Sequence, residues 1–166
     1  MTLPIVLTLI GCAVASYWDI RSRRIPNWLN AAIAIVALVV HSFAGLEAAA
    51  ISLLTMFVVT LGGALLYARG GIGAGDIKLA IASCGMLSYP LCVPFLLYTA
   101  IGGGLLAVFF LLFNAESRPS FVQFAVAGTG GRVASRATLP YAVAFAFGAA
   151  LIALAQSVVP FLRIAI

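Results

Sequence analysis

Asp19, Glu47, Asp76 and Glu116 are the only acidic side chains in a chain of 166 residues, and two of them are placed to do acid–base chemistry. Asp19 and Asp76 each stand at the border between an apolar run and a short basic connection. Two aspartates brought together at such a border cannot both ionise cheaply, so they tend to share one proton. In that state one carboxylate accepts a proton from an attacking water while the other protonates or polarises the carbonyl being cut. The pair titrates as a unit, so spacing does not assign acid and base to one residue or the other. Each aspartate also has a structural reading: Asp19 as a helix-end residue paired with Arg21 or Arg23, and Asp76 as the N-cap of the helix that follows it. Glu47, in the second connection beside His41, and Glu116, in the polar fifth connection, read as solvated groups with no part in the chemistry.

The elements that must hold these groups are membrane helices. Hydrophobic residues make up 64% of the chain and charged ones only 8%, against roughly 25% charged in a soluble domain. A hydrocarbon core takes about 20 apolar residues per helix. Apolar runs at Leu3 to Trp18, Leu29 to Ala44, Ala48 to Ala68, Ile77 to Tyr89, Leu91 to Phe113 and Leu139 to Leu162 therefore predict an all-α, polytopic membrane protein. It has about six transmembrane helices, and residues 1–166 form one membrane-embedded domain with no separate soluble part. The fourth run is short and carries Lys78 and Ser83, which suits a tilted or interfacial helix. The N-terminal Leu9-Ile10-Gly11-Cys12 resembles a lipobox, but no charged side chain precedes it and the apolar run continues past Cys12, so the segment reads as a retained first helix.

Several chemistries lack their parts. The net charge of +5 comes from nine basic residues spread between apolar segments, which argues against a nucleic-acid surface. Cys12, Cys84 and Cys92 are odd in number, lie in apolar stretches and form no C-x-x-C pair, so no metal site is read from them. Gly128-Thr129-Gly130-Gly131 lacks the spacing and the lysine of a phosphate loop. No G-x-S-x-G or H-E-x-x-H occurs, and His41 is the one histidine. No cofactor is expected.

The basic residues give an orientation by the positive-inside rule. Arg21, Arg23 and Arg24 lie in the first connection, Arg69 and Lys78 flank the third, and Arg118, Arg132 and Arg136 lie in the fifth. The second and fourth hold none, and Arg163 is the exception. Six spans then place both termini outside and the loops bearing Asp19 and Asp76 together in the cytoplasm.

Around the second aspartate the chain reads Gly73-Ala74-Gly75-Asp76-Ile77-Lys78-Leu79, where glycines permit positive φ and close approach of another backbone. This matches the G-x-G-D signature of intramembrane aspartic proteases, which include presenilin-like enzymes and type IV prepilin peptidases. Asp19-Ile20-Arg21 and Ile25-Pro26-Asn27 ahead of it, with Leu139-Pro140-Tyr141-Ala142 opening the last helix, make the chain resemble the prepilin peptidases along most of its length. The resemblance implies that Asp19 and Asp76 are the catalytic pair of an aspartic endopeptidase in the inner (cytoplasmic) membrane. Such an enzyme removes the short basic leader from prepilins or pseudopilins at the cytoplasmic face, in the service of type IV or Flp pilus assembly and protein secretion. It also makes Gly73, Gly75 and Lys78 candidates for binding substrate or shaping the loop. With only Met1 and Thr2 before the first apolar run, the chain resembles the short forms of tight-adherence (Flp-type) systems that lack the methyltransferase region. Gly102, Gly103 and Gly104 offer a face on which either the substrate helix or the protein's own helices pack closely. Two other classes stay open, a small polytopic transporter and a non-catalytic pilus-assembly membrane protein. A transporter would place charge along a path through the spans, and no acid or base falls mid-span.

Overall fold

The computed structural model describes residues 2–69, 72–113 and 141–158, all of it helices and their connections. Helix α1 spans Leu3–Ser22, with Pro4 in its first turn, where a missing N–H costs nothing. It ends on Arg23 in the left-handed region (φ 51), whose N–H donates to the Asp19 carbonyl. Helix α1 therefore runs a full turn past Trp18 and carries Asp19 within its last turn rather than in a loop. Helix α2, Asn27–Ala44, starts directly after Pro26, and α3 spans Leu46–Ala68. The second connection shrinks to Gly45 alone, at φ 128, a conformation that only glycine takes without strain. This corrects the expected placement of two residues. Glu47 lies in the first turn of α3, exposed, where its charge suits the helix dipole. His41 is buried in the last turn of α2, its Nδ1 2.8 Å from the Ala37 carbonyl.

Helices α4 (Ala74–Leu87), α5 (Cys92–Phe113) and α6 (Ala142–Val158) complete the described fold. Helices α1, α2, α3 and α5 are long and apolar enough to cross a membrane. At 14 residues α4 is about 21 Å long, short of the ~30 Å hydrocarbon core. It does not need the length, because it is the central helix: α1, α2 and α3 surround it, and Leu79 and Ala82 to Leu87 are all buried. Its Ser83 sits 3.5 Å from the Cys12 sulfur, and the Gly85 carbonyl accepts the Ser52 hydroxyl at 2.8 Å. The three cysteines are free and buried, as packing residues are.

Small residues set how closely the helices meet. A methyl on Gly63 would lie 2.6 Å from Ile77 Cγ2, fixing the approach of α3 to α4. On α5, a methyl on Gly102 would strike the Phe147 ring and one on Gly103 the Tyr141 hydroxyl. Gly102 and Gly103 therefore serve the protein's own α5–α6 contact and are not available to a substrate helix; of the three, only Gly104 has nothing within 4 Å of such a methyl among the described residues. Large apolar side chains such as Phe43, Leu54, Phe57, Leu61, Leu105 and Leu154 point outward, more than half exposed. Water would not tolerate such a surface, and lipid does. The chain is a multi-pass membrane protein. Gly70, Gly71, Arg163 and the whole of 114–140, with Glu116, Arg118, Arg132, Arg136, the Gly128 to Gly131 stretch, Leu139 and Pro140, lie outside the described residues.

Candidate active site

Helix α1 ends and α6 begins at the same end of the bundle, and Asp19 marks the junction. Its side chain is 8% exposed, and its Oδ2 accepts the backbone N–H of Ala142 at 3.1 Å. That N–H is the first of α6 and has no partner within its own helix, so a carboxylate oxygen satisfies an otherwise orphaned donor. One turn back on the same face of α1, the buried Ser16 hydroxyl lies 2.8 Å from the Ala142 carbonyl and 2.7 Å from that of Cys12. Ala142 is thus held through both of its backbone polar groups by residues three apart on α1. Arg21, one of the two partners expected for Asp19, donates instead to the Tyr17 hydroxyl at 2.9 Å.

Asp76 enters from α4. The N-cap of that helix is Gly73, in an extended conformation (φ −69, ψ 145), and Asp76 is the third helical residue. This replaces the expected N-cap role for Asp76, and it also corrects the reason for the first glycine. Gly73 does not use positive φ. What it provides is room, because a methyl there would sit 3.0 Å from Asp76 Oδ2. A methyl on Gly75 would meet Ile25 Cβ at an ordinary 3.8 Å. Asp76 is half-buried and precedes the apolar part of α4; burial, and then the negative charge of Asp19, push its carboxyl up to about 6. The Asp19 charge is felt at Asp76, so the structure brings the two sequence-predicted aspartates to one locus.

Beyond Asp76 opens an apolar cavity of about 410 Å³ between α3, α4, α5 and α6. Asp76 and Tyr141 line it at one end, with Gly62, Gly63, Leu96 and Phe145 among its walls. Tyr141 packs edge-on to Phe145, which in turn packs against Phe95, so an aromatic stack joins α6 to α5 on this side. Lys78 faces away from the cavity, two residues on from Asp76 and so on another side of α4. Its ammonium donates to Asn27 Oδ1 at 2.9 Å, tying the start of α4 to the start of α2. Ser16, the Ala142 backbone and Tyr141 are site residues that sequence reasoning missed. Ser16 had a signal in its i, i+3 spacing to Asp19, which puts both on one face of α1. The other two stood in the Leu139 to Ala142 motif, but nothing in that motif says that a backbone N–H is the group that matters.

The difference between the two glycines is testable. Gly73→Ala should displace the Asp76 carboxylate by a few tenths of an ångström and lower the activity of the site by about tenfold or more, in line with the sensitivity of catalytic geometry to small displacements. Gly75→Ala, inside the helix and without a clash, should keep most of the activity and gain up to about 1 kcal/mol in helix propensity. Equal losses in both would mean that crowding at Asp76 is not what excludes a side chain from position 73.

Among the described residues, no three His, Cys, Asp or Glu side chains gather as a metal site would require. The arrangement supplies instead two interacting carboxylates, one hydrogen-bonded by a helix N-terminus and one beside an apolar cavity. Searches of the curated proteins and of the solved structures return no match. A family model does match: that of the type IV leader peptidases, over residues 6–108, a stretch that contains both Asp19 and Asp76. Covering well over half of the chain, the match establishes that this protein belongs to the type IV leader peptidase family.

Proposed function

We propose that the protein is an aspartic endopeptidase that removes the basic leader of a prepilin-type substrate at the cytoplasmic face of the membrane, with Asp19 and Asp76 as its catalytic pair. The observation that carries this reading is the coupling of the two carboxyls, in which burial and the Asp19 charge favour a proton on Asp76. A pair that keeps one proton serves both halves of peptide hydrolysis. The ionised member takes a proton from water as the oxygen adds to the scissile carbonyl carbon. The protonated member donates to the carbonyl oxygen. Collapse of the tetrahedral intermediate breaks the C–N bond as the amide nitrogen gains a proton, and the pair regains its single proton. The hydrogen bond from Ala142 to Asp19 holds one carboxylate in place during these transfers. The cavity beside Asp76 suits the apolar residues that follow the cut. Gly73 serves by leaving the Asp76 carboxylate uncrowded, and Lys78 by tying the start of α4, which bears Asp76, to the start of α2 through Asn27.

The test is co-expression of the full chain with a prepilin that carries a short basic leader, followed by mass analysis of the product. Cleavage at the border between leader and apolar helix is expected. An uncut substrate alongside enzyme that accumulates in the membrane would refute the reading. The cytoplasmic placement has its own test, because reporter fusions after Arg24, Arg69 and Arg118 should read as inside and fusions after His41 and Tyr89 as outside. The end of α1 and the start of α4 on opposite faces would rule out the dyad.

A further inference from the structure

On the side of α4 that faces α2 lies a second cleft, of about 280 Å³, that the peptidase chemistry does not use. Its mouth is polar, with Asn27 at the start of α2 and Lys78 near the start of α4. Its floor is apolar, formed by Ala31 and Ala34 of α2 with Ile81 of α4. Between the two sits Asn30, 5% exposed, and among the described residues neither its amide nitrogen nor its amide oxygen has a hydrogen-bond partner. An amide this deep asks for a ligand that both accepts and donates. Lys78 adds a cation with three donors, one of which goes to Asn27 Oδ1. The same end of the bundle carries Arg21, Arg23 and Arg24, so its field is positive.

We propose that this cleft binds one anionic phospholipid, its phosphate against Lys78 and the Asn30 amide N–H, a headgroup hydroxyl on Asn30 Oδ1, and an acyl chain along Ala31, Ala34 and Ile81. Each part of the cleft matches one part of that molecule. The charge answers the phosphate, as basic groups at the membrane surface do for anionic lipids. The buried amide answers a headgroup that carries hydroxyls as well as phosphate. The apolar floor runs from the interface toward the bilayer interior, because residues 31, 34 and 81 lie one to two turns inward from the polar mouth. A free anion would leave that floor uncovered, and a peptide leader rich in basic residues would meet Lys78 with like charge. Lys78 thereby holds two roles on one side of α4, the tie to Asn27 and a contact to the lipid.

The test compares wild type with Asn30→Leu and Lys78→Gln, each as the full chain. The proteins are incubated with vesicles of phosphatidylcholine alone or of phosphatidylcholine with phosphatidylglycerol, and bound lipid is counted by native mass spectrometry. Wild type should retain one phosphatidylglycerol, and each variant should retain it about tenfold more weakly. Melting in lipid-free detergent supplies the folding control. Asn30→Leu removes an unpartnered buried amide, so without lipid it should melt no lower than wild type. Phosphatidylglycerol should raise the Tm of wild type and leave that of Asn30→Leu unchanged. The proposal is overturned if all three proteins hold the lipid equally, or if soluble glycerol phosphate protects wild type as well as the lipid does, which would leave an anion site only. It is also overturned if Asn30→Leu keeps the lipid but no longer binds a leader-peptide analogue, since the cleft would then be a substrate contact.

Discussion

Asp19→Asn and Asp76→Asn should each abolish cleavage of a co-expressed prepilin while the protein accumulates in the membrane at its normal level. Asparagine keeps the size of the side chain. At position 19 its amide oxygen still accepts the Ala142 N–H, so the junction of α1 with α6 survives the change. What is lost is the titratable proton. General acid–base groups contribute about 10²- to 10⁴-fold, and two groups that share a proton fail together, so the double variant should be no worse than either single one. Glu47→Gln should cleave like wild type, because that carboxylate is exposed in the first turn of α3. A structural role for Asp19 or Asp76 gives the opposite pattern, with less protein but unchanged activity per molecule. Cleavage measured against folded enzyme separates the two. Normal accumulation with near-normal cleavage in either asparagine variant would remove Asp19 and Asp76 from the chemistry.

The fold was legible in this sequence because lipid imposes a coarse and strict rule: backbone polar groups must pair within the chain, and each span needs an apolar run. The six helices among the described residues fall on the six runs. Their ends were less legible, because charged and polar residues near an interface do not stop a helix. Asp19, Arg21 and Ser22 continue α1 through a last turn that composition would assign to a loop, and Gly45 turns the chain between α2 and α3 where a longer connection was expected. That Asp19 and Asp76 face the same side was legible from their borders with basic connections, and the G-x-G-D pattern singled them out, but whether they come close without substrate was not. Hidden from the sequence was everything the backbone does. The Ala142 N–H that holds Asp19 has no sequence signature, since every residue but proline carries one. The space that Gly73 leaves for Asp76 looks, in one dimension, the same as a demand for positive φ. The contact of Gly102 and Gly103 with α6 likewise depends on which helix is the neighbour, and glycine spacing alone does not name it.

The pH dependence of activity and that of stability should run in the same direction through Asp76, and this pairing is the second large effect. Its carboxyl stands at about 6 against an ordinary 3.8, for reasons of burial first and the Asp19 charge second. In the free enzyme the shared proton is therefore lost as pH rises through about 6, and kcat/KM should fall about tenfold for each further pH unit. Below that limb the rate should fall again as the pair takes up a second proton, giving a bell. An apolar substrate helix that covers the half-exposed Asp76 deepens its burial, so the alkaline limb of kcat should lie at higher pH than that of kcat/KM. Stability follows by linkage. The folded-state value is raised, so between about 3.8 and about 6 the folded protein binds more protons than the unfolded chain, and the contribution of this group is fully present below that window and lost as pH rises through it. Asp76→Asn has no such proton to lose. It should match wild type in melting temperature at acid pH and exceed it at neutral and alkaline pH, where wild type must keep a disfavoured charge. That gain in stability with loss of activity is the signature of a residue held for function against the preference of the fold. A cap or ion pair at Asp76 predicts a lowered carboxyl and the reverse result, an asparagine variant that melts below wild type at neutral pH. Melting curves of the two proteins across the acid and neutral range, read beside the pH profile of kcat/KM, would show which description of Asp76 holds.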